Sequence, residues 1–142
     1  MSVFVVDASL VMKWFVPEER SEFARKWLEA KHDYFAPDLL FPETGNVIWK
    51  KVRRGELSAD EGRRLAKDLS AIAVEAVPMR ALLQDALAVA LGAGITVYDA
   101  TYLTLAMRLE TQVVTADDRF AKRLSVYPSL APHVRSLEEV SW

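Results

Sequence analysis

The sequence holds no cysteine and only two histidines, His32 and His133. Without thiols there are no disulfides and no thiolate metal sites. Two histidines far apart in unlike contexts argue against a zinc site built on nitrogen and sulfur. An acyl-transfer triad lacks a serine–histidine pair to build on. No apolar run approaches the ~20 residues of a membrane-spanning helix. Met1-Ser2 leads directly into Val3-Phe4-Val5-Val6 with no basic stretch before it, so the expectation is no signal peptide and a cytoplasmic protein. A surplus of positive charge is missing too. The net charge of −2 does not advertise a nucleic-acid binder. A carboxylate site loaded with divalent cations softens that objection, because the metal brings positive charge to where a phosphate arrives.

What the chain does have is a globular composition. Its 142 residues, 51% hydrophobic and 27% charged, exclude a disordered chain and fit one domain over residues 1–142. No linker, repeat or low-complexity segment divides it. Val3–Val6 is a short β-branched apolar run of the kind buried in a parallel sheet. A short helix over Ala8–Phe15 follows, ending near Pro17, and Pro17-Glu18-Glu19 opens a second helix. Tyr34–Ala36 reads as a strand. A helical region then starts at Pro37-Asp38, is interrupted at Pro42, and is stopped by Gly55. Ser58-Ala59-Asp60-Glu61 has the capping-box spacing for the next helix. A strand over Ile72–Val77, a helix over Met79–Leu91, a helix over Ala100–Leu109, a strand over Gln112–Thr115 and a helix through Leu124 follow. His133–Ser136 is the last strand, and the tail from Leu137 is unassigned. Strands alternating with helices predict an α/β fold, a mostly parallel sheet of about five strands with both faces covered.

Ligands of open α/β sheets gather outside the carboxyl ends of the strands. Asp7 and Asp117 each follow an apolar strand directly. Asp99 follows the four-residue apolar segment Ile95–Tyr98 and opens a helix, and Glu43 follows Pro42 beyond the Tyr34–Ala36 strand. All four can converge on one cleft. Clustered carboxylates repel one another unless some protonate or a cation intervenes. Ligands that are all oxygen suit Mg²⁺ or Mn²⁺. Such an ion can acidify a water, hold a phosphate oxygen and steady a leaving oxygen, so phosphodiester hydrolysis is the reaction class expected. The plain alternative is that each Asp only caps a helix, which is worth about 1 kcal/mol. Glu43 taken alone reads more as a solvated helix charge than as a ligand.

Four strings in order carry a resemblance. Val5-Val6-Asp7-Ala8-Ser9-Leu10-Val11, Pro42-Glu43-Thr44-Gly45-Asn46-Val47, Val97-Tyr98-Asp99-Ala100-Thr101-Tyr102 and Val113-Val114-Thr115-Ala116-Asp117-Asp118-Arg119-Phe120 together make the chain similar to PIN-domain proteins. Within that family it resembles the VapC-type toxin ribonucleases of toxin–antitoxin pairs. The resemblance spans almost the whole chain. It implies a Rossmann-like three-layer fold, Mg²⁺ or Mn²⁺ held by Asp7, Glu43, Asp99 and Asp117, endonucleolytic cleavage of RNA, a homodimer and a cognate VapB-type antitoxin.

Around these acids, Ser9 and Thr115 are expected to hydrogen-bond an acid or a water, or only local backbone. Asn46 lies three residues beyond Glu43 and shares its helical face. Asp118 is either an outer acid of the site or a solvated first-turn charge. Lys50, Lys51, Arg53, Arg54, Arg119, Lys122 and Arg123 either hold RNA phosphates or form a solvated face. Trp14, Phe15 and Trp49 point to core or interface packing more than to base stacking. Two other readings stay open. One is an aspartate-based phosphotransfer enzyme with Asp7 as nucleophile, although Ser9 stands where a haloacid-dehalogenase-type site has a second Asp. The other is a non-catalytic RNA- or protein-binding module.

Overall fold

The computed structural model describes residues 2–140. Ser141 and Trp142, the end of the unassigned tail, lie outside the described residues. Five strands form one fully parallel sheet in the order β3-β2-β1-β4-β5, where β1 is Val3–Val6, β2 Asp33–Pro37, β3 Glu75–Val77, β4 Val113–Thr115 and β5 Val134–Ser136. Among the described residues seven α-helices flank it: α1 Ala8–Phe15, α2 Ser21–Glu29, α3 Leu40–Arg53, α4 Ala59–Ser70, α5 Leu83–Ala93, α6 Val97–Arg108 and α7 Asp118–Leu124.

The two-residue period of the central strands sorts the core into two layers. Phe4, Val6 and Val114 point to one side, where they pack with Leu10, Trp27, Leu40 and Ile48 from α1 to α3. Val5 and Val113 point to the other, against Ala86, Leu103, Phe120 and Leu124 from α5 to α7. Helix α6 is buried from Ala100 to Ala106, and two of those residues are threonines. Such all-round burial marks a core helix. No single described helix is long and apolar enough to cross a membrane; α5 and α6 pass that test only together, across a 113° bend.

The helix ends follow local chemistry where the sequence shows it plainly. The Ser58–Glu61 capping box is present in both directions, with Glu61 N–H to Ser58 Oγ at 3.1 Å and Ser58 N–H to Glu61 Oε1 at 2.9 Å. Gly55 ends α3 at φ 74°, with Gly55 N–H on Val52 O at 3.0 Å and Glu56 N–H on Lys51 O at 2.9 Å. That pair of bonds is a Schellman motif. Helices α3 and α4 then pack so closely that a Cβ on Gly62 would lie 2.9 Å from Val52 Cγ2.

Elsewhere the elements differ from the sequence expectations. Helix α2 begins at Ser21 rather than at Pro17, because Arg20 takes a left-handed conformation at φ 69° and breaks the turn. Pro42 does not interrupt α3. It occupies the third helical position, where a missing N–H breaks no helical hydrogen bond. The helix expected from Met79 is divided: a 3₁₀ turn covers Met79–Ala81, and α5 proper starts at Leu83. β3 keeps only the last three residues of the Ile72–Val77 run. The Ile95–Tyr98 segment is no strand. Ile95 is a buried linker residue and Thr96 caps α6, which therefore starts at Val97.

Candidate active site

In this strand order the direction of winding reverses between β1 and β4, the position where open α/β sheets form a crevice at the strands' carboxyl ends. Asp7 is the first residue after β1. Its Oδ1 accepts the Leu10 N–H at 3.0 Å, which caps α1, and the Ser9 hydroxyl at 2.6 Å. Its Oδ2 accepts the Thr115 hydroxyl. With both hydroxyl protons committed to Asp7, the Ser9 and Thr115 oxygens turn their lone pairs to the turn after β4. Ser9 Oγ accepts the Ala116 N–H and Thr115 Oγ1 the Asp117 N–H, both at 3.0 Å. Two small hydroxyl residues thereby bolt the end of β1 to the end of β4.

Asp117 caps α7, its Oδ1 accepting the Arg119 and Phe120 N–H groups at 3.0 and 3.1 Å. Oδ2 stays out of the cap, so capping leaves one carboxylate oxygen for the cleft that Asp117 lines. Asp99 is the third residue of α6, not a residue beyond a strand. The Thr96 cap fixes that first turn through the Asp99 N–H at 3.1 Å. Among the described residues no donor reaches the Asp99 carboxylate. Glu43 lies in the first turn of α3, and its Oε1 accepts the Tyr102 hydroxyl at 2.6 Å. The four acids line one cleft of about 160 Å³, with Tyr102 and Phe120 in its wall.

The acids share an electrostatic environment as well as a wall. Burial raises the pKa of Asp7 above the ordinary carboxylate value, against the hydrogen bonds from Ser9, Thr115 and Leu10, and the charge of Asp117 adds to the rise. Burial raises Glu43 too, opposed by Tyr102 and reinforced by Asp7 and Asp99. Asp99 is raised by burial and then by Asp117, with Arg123 pulling the other way. The Tyr102 phenol is pushed far up by burial and by Glu43, so it stays a proton donor.

The donor set fits a hard divalent cation. Every candidate ligand is a carboxylate, and Asp99, Asp117 and Glu43 each keep an oxygen outside the protein's own hydrogen bonds. Among the described residues no three acidic side chains stand close enough to form a finished cage around one point.

Of the other residues singled out by sequence, Ser9 and Thr115 lie at the site, and their bonds are to Asp7. Asn46 is exposed on α3 and does not line the cleft. Asp118 is exposed and paired with Arg20 at 3.1 Å, outside the cleft. Lys51 pairs with Glu18 at 3.2 Å, and Arg53 stacks on the exposed Trp49 ring at 5.2 Å. Trp14 donates to Ala24 O at 2.7 Å. Tyr102 was not singled out. Its spacing three residues after Asp99, on one helical face, was the available signal.

The sequence profile of the PIN domain matches residues 4–123, and the chain belongs to the PIN-domain family. Ribonuclease VapC3 of Pyrobaculum aerophilum is 37% identical over 128 residues, 89% of this chain and 95% of that protein. Exonuclease VapC9 of the same organism is 34% identical over 93 residues, 65% of this chain and 68% of that protein. The crystal structure of PAE2754 from Pyrobaculum aerophilum superposes with a TM-score of 0.71 at 24% identity, covering 96% of this chain and 90% of that one. A toxin–antitoxin complex from Klebsiella pneumoniae superposes with a TM-score of 0.65 at 15% identity, covering 99% and 100%. At those identities the two structures establish the shared fold.

Proposed function

We propose that this protein is a divalent-metal-dependent endoribonuclease of the VapC type, one domain acting in the cytoplasm as the toxin of a toxin–antitoxin pair. The observation that carries the reading is the convergence of Asp7, Glu43, Asp99 and Asp117, from four separate stretches of chain, on one cleft at the sheet's switch point. The similarity to Ribonuclease VapC3 over nearly the full length of both chains supports RNA as the substrate.

Bound Mg²⁺ or Mn²⁺ supplies positive charge for a phosphate oxygen and acidifies a water. Asp7, Glu43, Asp99 and Asp117 hold it. Ser9 and Thr115 fix the Asp7 carboxylate in one orientation, and Tyr102 does the same for Glu43. Arg123, near enough to Asp99 to lower its pKa, offers a guanidinium to a substrate phosphate. A homodimer and a small VapB-type antitoxin that sequesters the protein complete the proposal.

The test is cleavage of an end-labelled single-stranded RNA by the purified protein with Mn²⁺, with EDTA, and with the Asp99→Asn variant. Expected are internal cuts with Mn²⁺ alone. A ladder growing only from one end would make the activity exonucleolytic, and cleavage by folded Asp99→Asn at the wild-type rate would refute the assignment of the acids.

A further inference from the structure

Arg20 stands outside the cleft, yet its guanidinium grips the chain on both sides of Asp117. Nη1 lies 3.4 Å from the carbonyl oxygen of Ala116 and 3.1 Å from Asp118 Oδ2, and Nη2 lies 3.2 Å from Asp118 Oδ1. The contact with Asp118 is the two-point fork that a planar guanidinium makes with a carboxylate. Nε is buried and sits 3.1 Å from Glu138 Oε1, an ion-pair contact off the hydrogen-bond line. One side chain thus joins the α1–α2 connection, the β4–α7 turn and the segment after β5. Its backbone is left-handed at φ 69°, a conformation that disfavours side chains with a Cβ. Such strain persists where the surrounding contacts hold it.

From the cleft side the turn is held by the Ser9 and Thr115 hydroxyls, and Arg20 holds it from the opposite side. Asp117 is itself exposed, and its carboxylate is anchored through Oδ1 alone. The Ala116 and Asp117 amides depend on the Ser9 and Thr115 oxygens, whose positions depend in turn on Asp7. The Asp118 carboxylate is 74% exposed, so as a simple surface pair it would contribute little. Its place next to Asp117 in a shared grip gives the contact a consequence for the cleft. The grip limits how far the turn swings and so where Asp117 Oδ2 stands.

We propose that Arg20 is a positioning residue for Asp117, holding the residues on either side of it so that its carboxylate faces the other three acids. This rests on the cleft being a cation site. Replacing a group that orients a metal ligand commonly weakens metal binding by about 10- to 100-fold.

The experiment compares wild type, Arg20→Ala, Arg20→Lys and Asp118→Asn, with Arg108→Gln as a control whose ion pair with Asp85 lies away from the cleft. Each is titrated with MnCl₂ by calorimetry and followed by amide hydrogen exchange. Expected for Arg20→Ala are Mn²⁺ binding weaker by about tenfold or more, faster exchange at Ala116 and Asp117, and unchanged exchange in β1. Arg20→Lys keeps the charge without the fork and falls between. Asp118→Asn weakens binding in the same direction and folds normally, so it decides the matter if Arg20→Ala does not fold. Wild-type Mn²⁺ affinity in both Arg20→Ala and Asp118→Asn overturns the proposal. Should the wild type itself bind no Mn²⁺, the cation reading of the cleft fails. Unchanged exchange at Ala116 and Asp117 overturns the role of Arg20 whether or not Mn²⁺ binds.

Discussion

The Tyr102 hydroxyl donates to Glu43 Oε1 across 2.6 Å, joining the middle of α6 to the first turn of α3. Tyr102 is only 4% exposed, so its ring is part of the core while its oxygen forms part of the cleft wall. Glu43 is the acid on the least constrained side chain, with three torsions to fix. The phenol fixes one oxygen and leaves the other for the cleft.

Tyr102→Phe keeps the ring and deletes that donor, at a cost of about 1 kcal/mol in stability. The hydrogen bond lowers the pKa of Glu43 against the effects of burial and of Asp7 and Asp99, so its loss raises that pKa further. If Glu43 works ionised, activity disappears as pH falls through its pKa. The acidic limb of the pH–rate profile should therefore move to higher pH in Tyr102→Phe, with activity regained at alkaline pH. An unmoved limb in a less active variant would contradict this role.

Asp99→Asn should abolish Mn²⁺-dependent cleavage and yet stabilise the metal-free fold. Asp7, Glu43 and Asp99 all have pKa values raised in the folded state, first by burial and then by neighbouring carboxylates. Folding thus favours their protonated forms. That stability is fully present below the unfolded carboxylate pKa of about 4 and is lost as pH rises through the raised folded values. Removing the Asp99 charge should add about 1 kcal/mol at neutral pH, or roughly 2–5 °C in Tm with EDTA present. The wild type in EDTA should melt higher near pH 5 than at pH 8, and Mn²⁺ should narrow that gap.

Asp7 and Asp117 were legible in the sequence because β-branched runs end directly at them and helices start there. The cap reading holds for both, through the bonds to Leu10, Arg119 and Phe120, and both side chains also line the cleft. Asp99 was legible only as a residue. Its apolar approach, Ile95–Tyr98, resembles a strand, and nothing local reveals that Thr96 caps a helix over it. Glu43 depended on the family strings. Tyr102 went unmarked because an aromatic residue in an apolar helix looks like core, which its ring is. Arg20 had no local signal at all: its partners lie at positions 116, 118 and 138, and only the fold brings them to it.

Two helical glycines should respond oppositely to alanine. At Gly62 a Cβ would meet Val52 Cγ2 at 2.9 Å and Ile48 Cγ2 at 3.2 Å, and β-branched residues in a helix have little freedom to turn away. Gly62→Ala should cost about 1–3 kcal/mol by forcing α3 and α4 apart. At Gly45 a Cβ meets nothing within 4 Å. Gly45→Ala should gain about 0.5–1 kcal/mol from lost chain freedom in the unfolded state. Urea unfolding midpoints give both signs.

Thr115→Val keeps the shape of a fully buried residue while removing its hydroxyl. Asp7 loses a donor and the Asp117 N–H loses its acceptor. The expected cost is about 1–3 kcal/mol for the polar groups left unpaired. Asp7 is also pushed further toward its protonated form, so Mn²⁺ binding should weaken most at low pH. A variant as stable as wild type, with the same Mn²⁺ isotherm at every pH, would contradict the hydroxyl clamp.

Asp7, Glu43, Asp99 and Asp117 are proposed to form one cation site. A crystal soaked in Mn²⁺ and measured at the manganese edge tests it directly. Expected is an anomalous peak in the cleft, bonded to carboxylate oxygens of these four residues. A cleft without a peak at saturating Mn²⁺, or manganese bound only elsewhere on the surface, would contradict it.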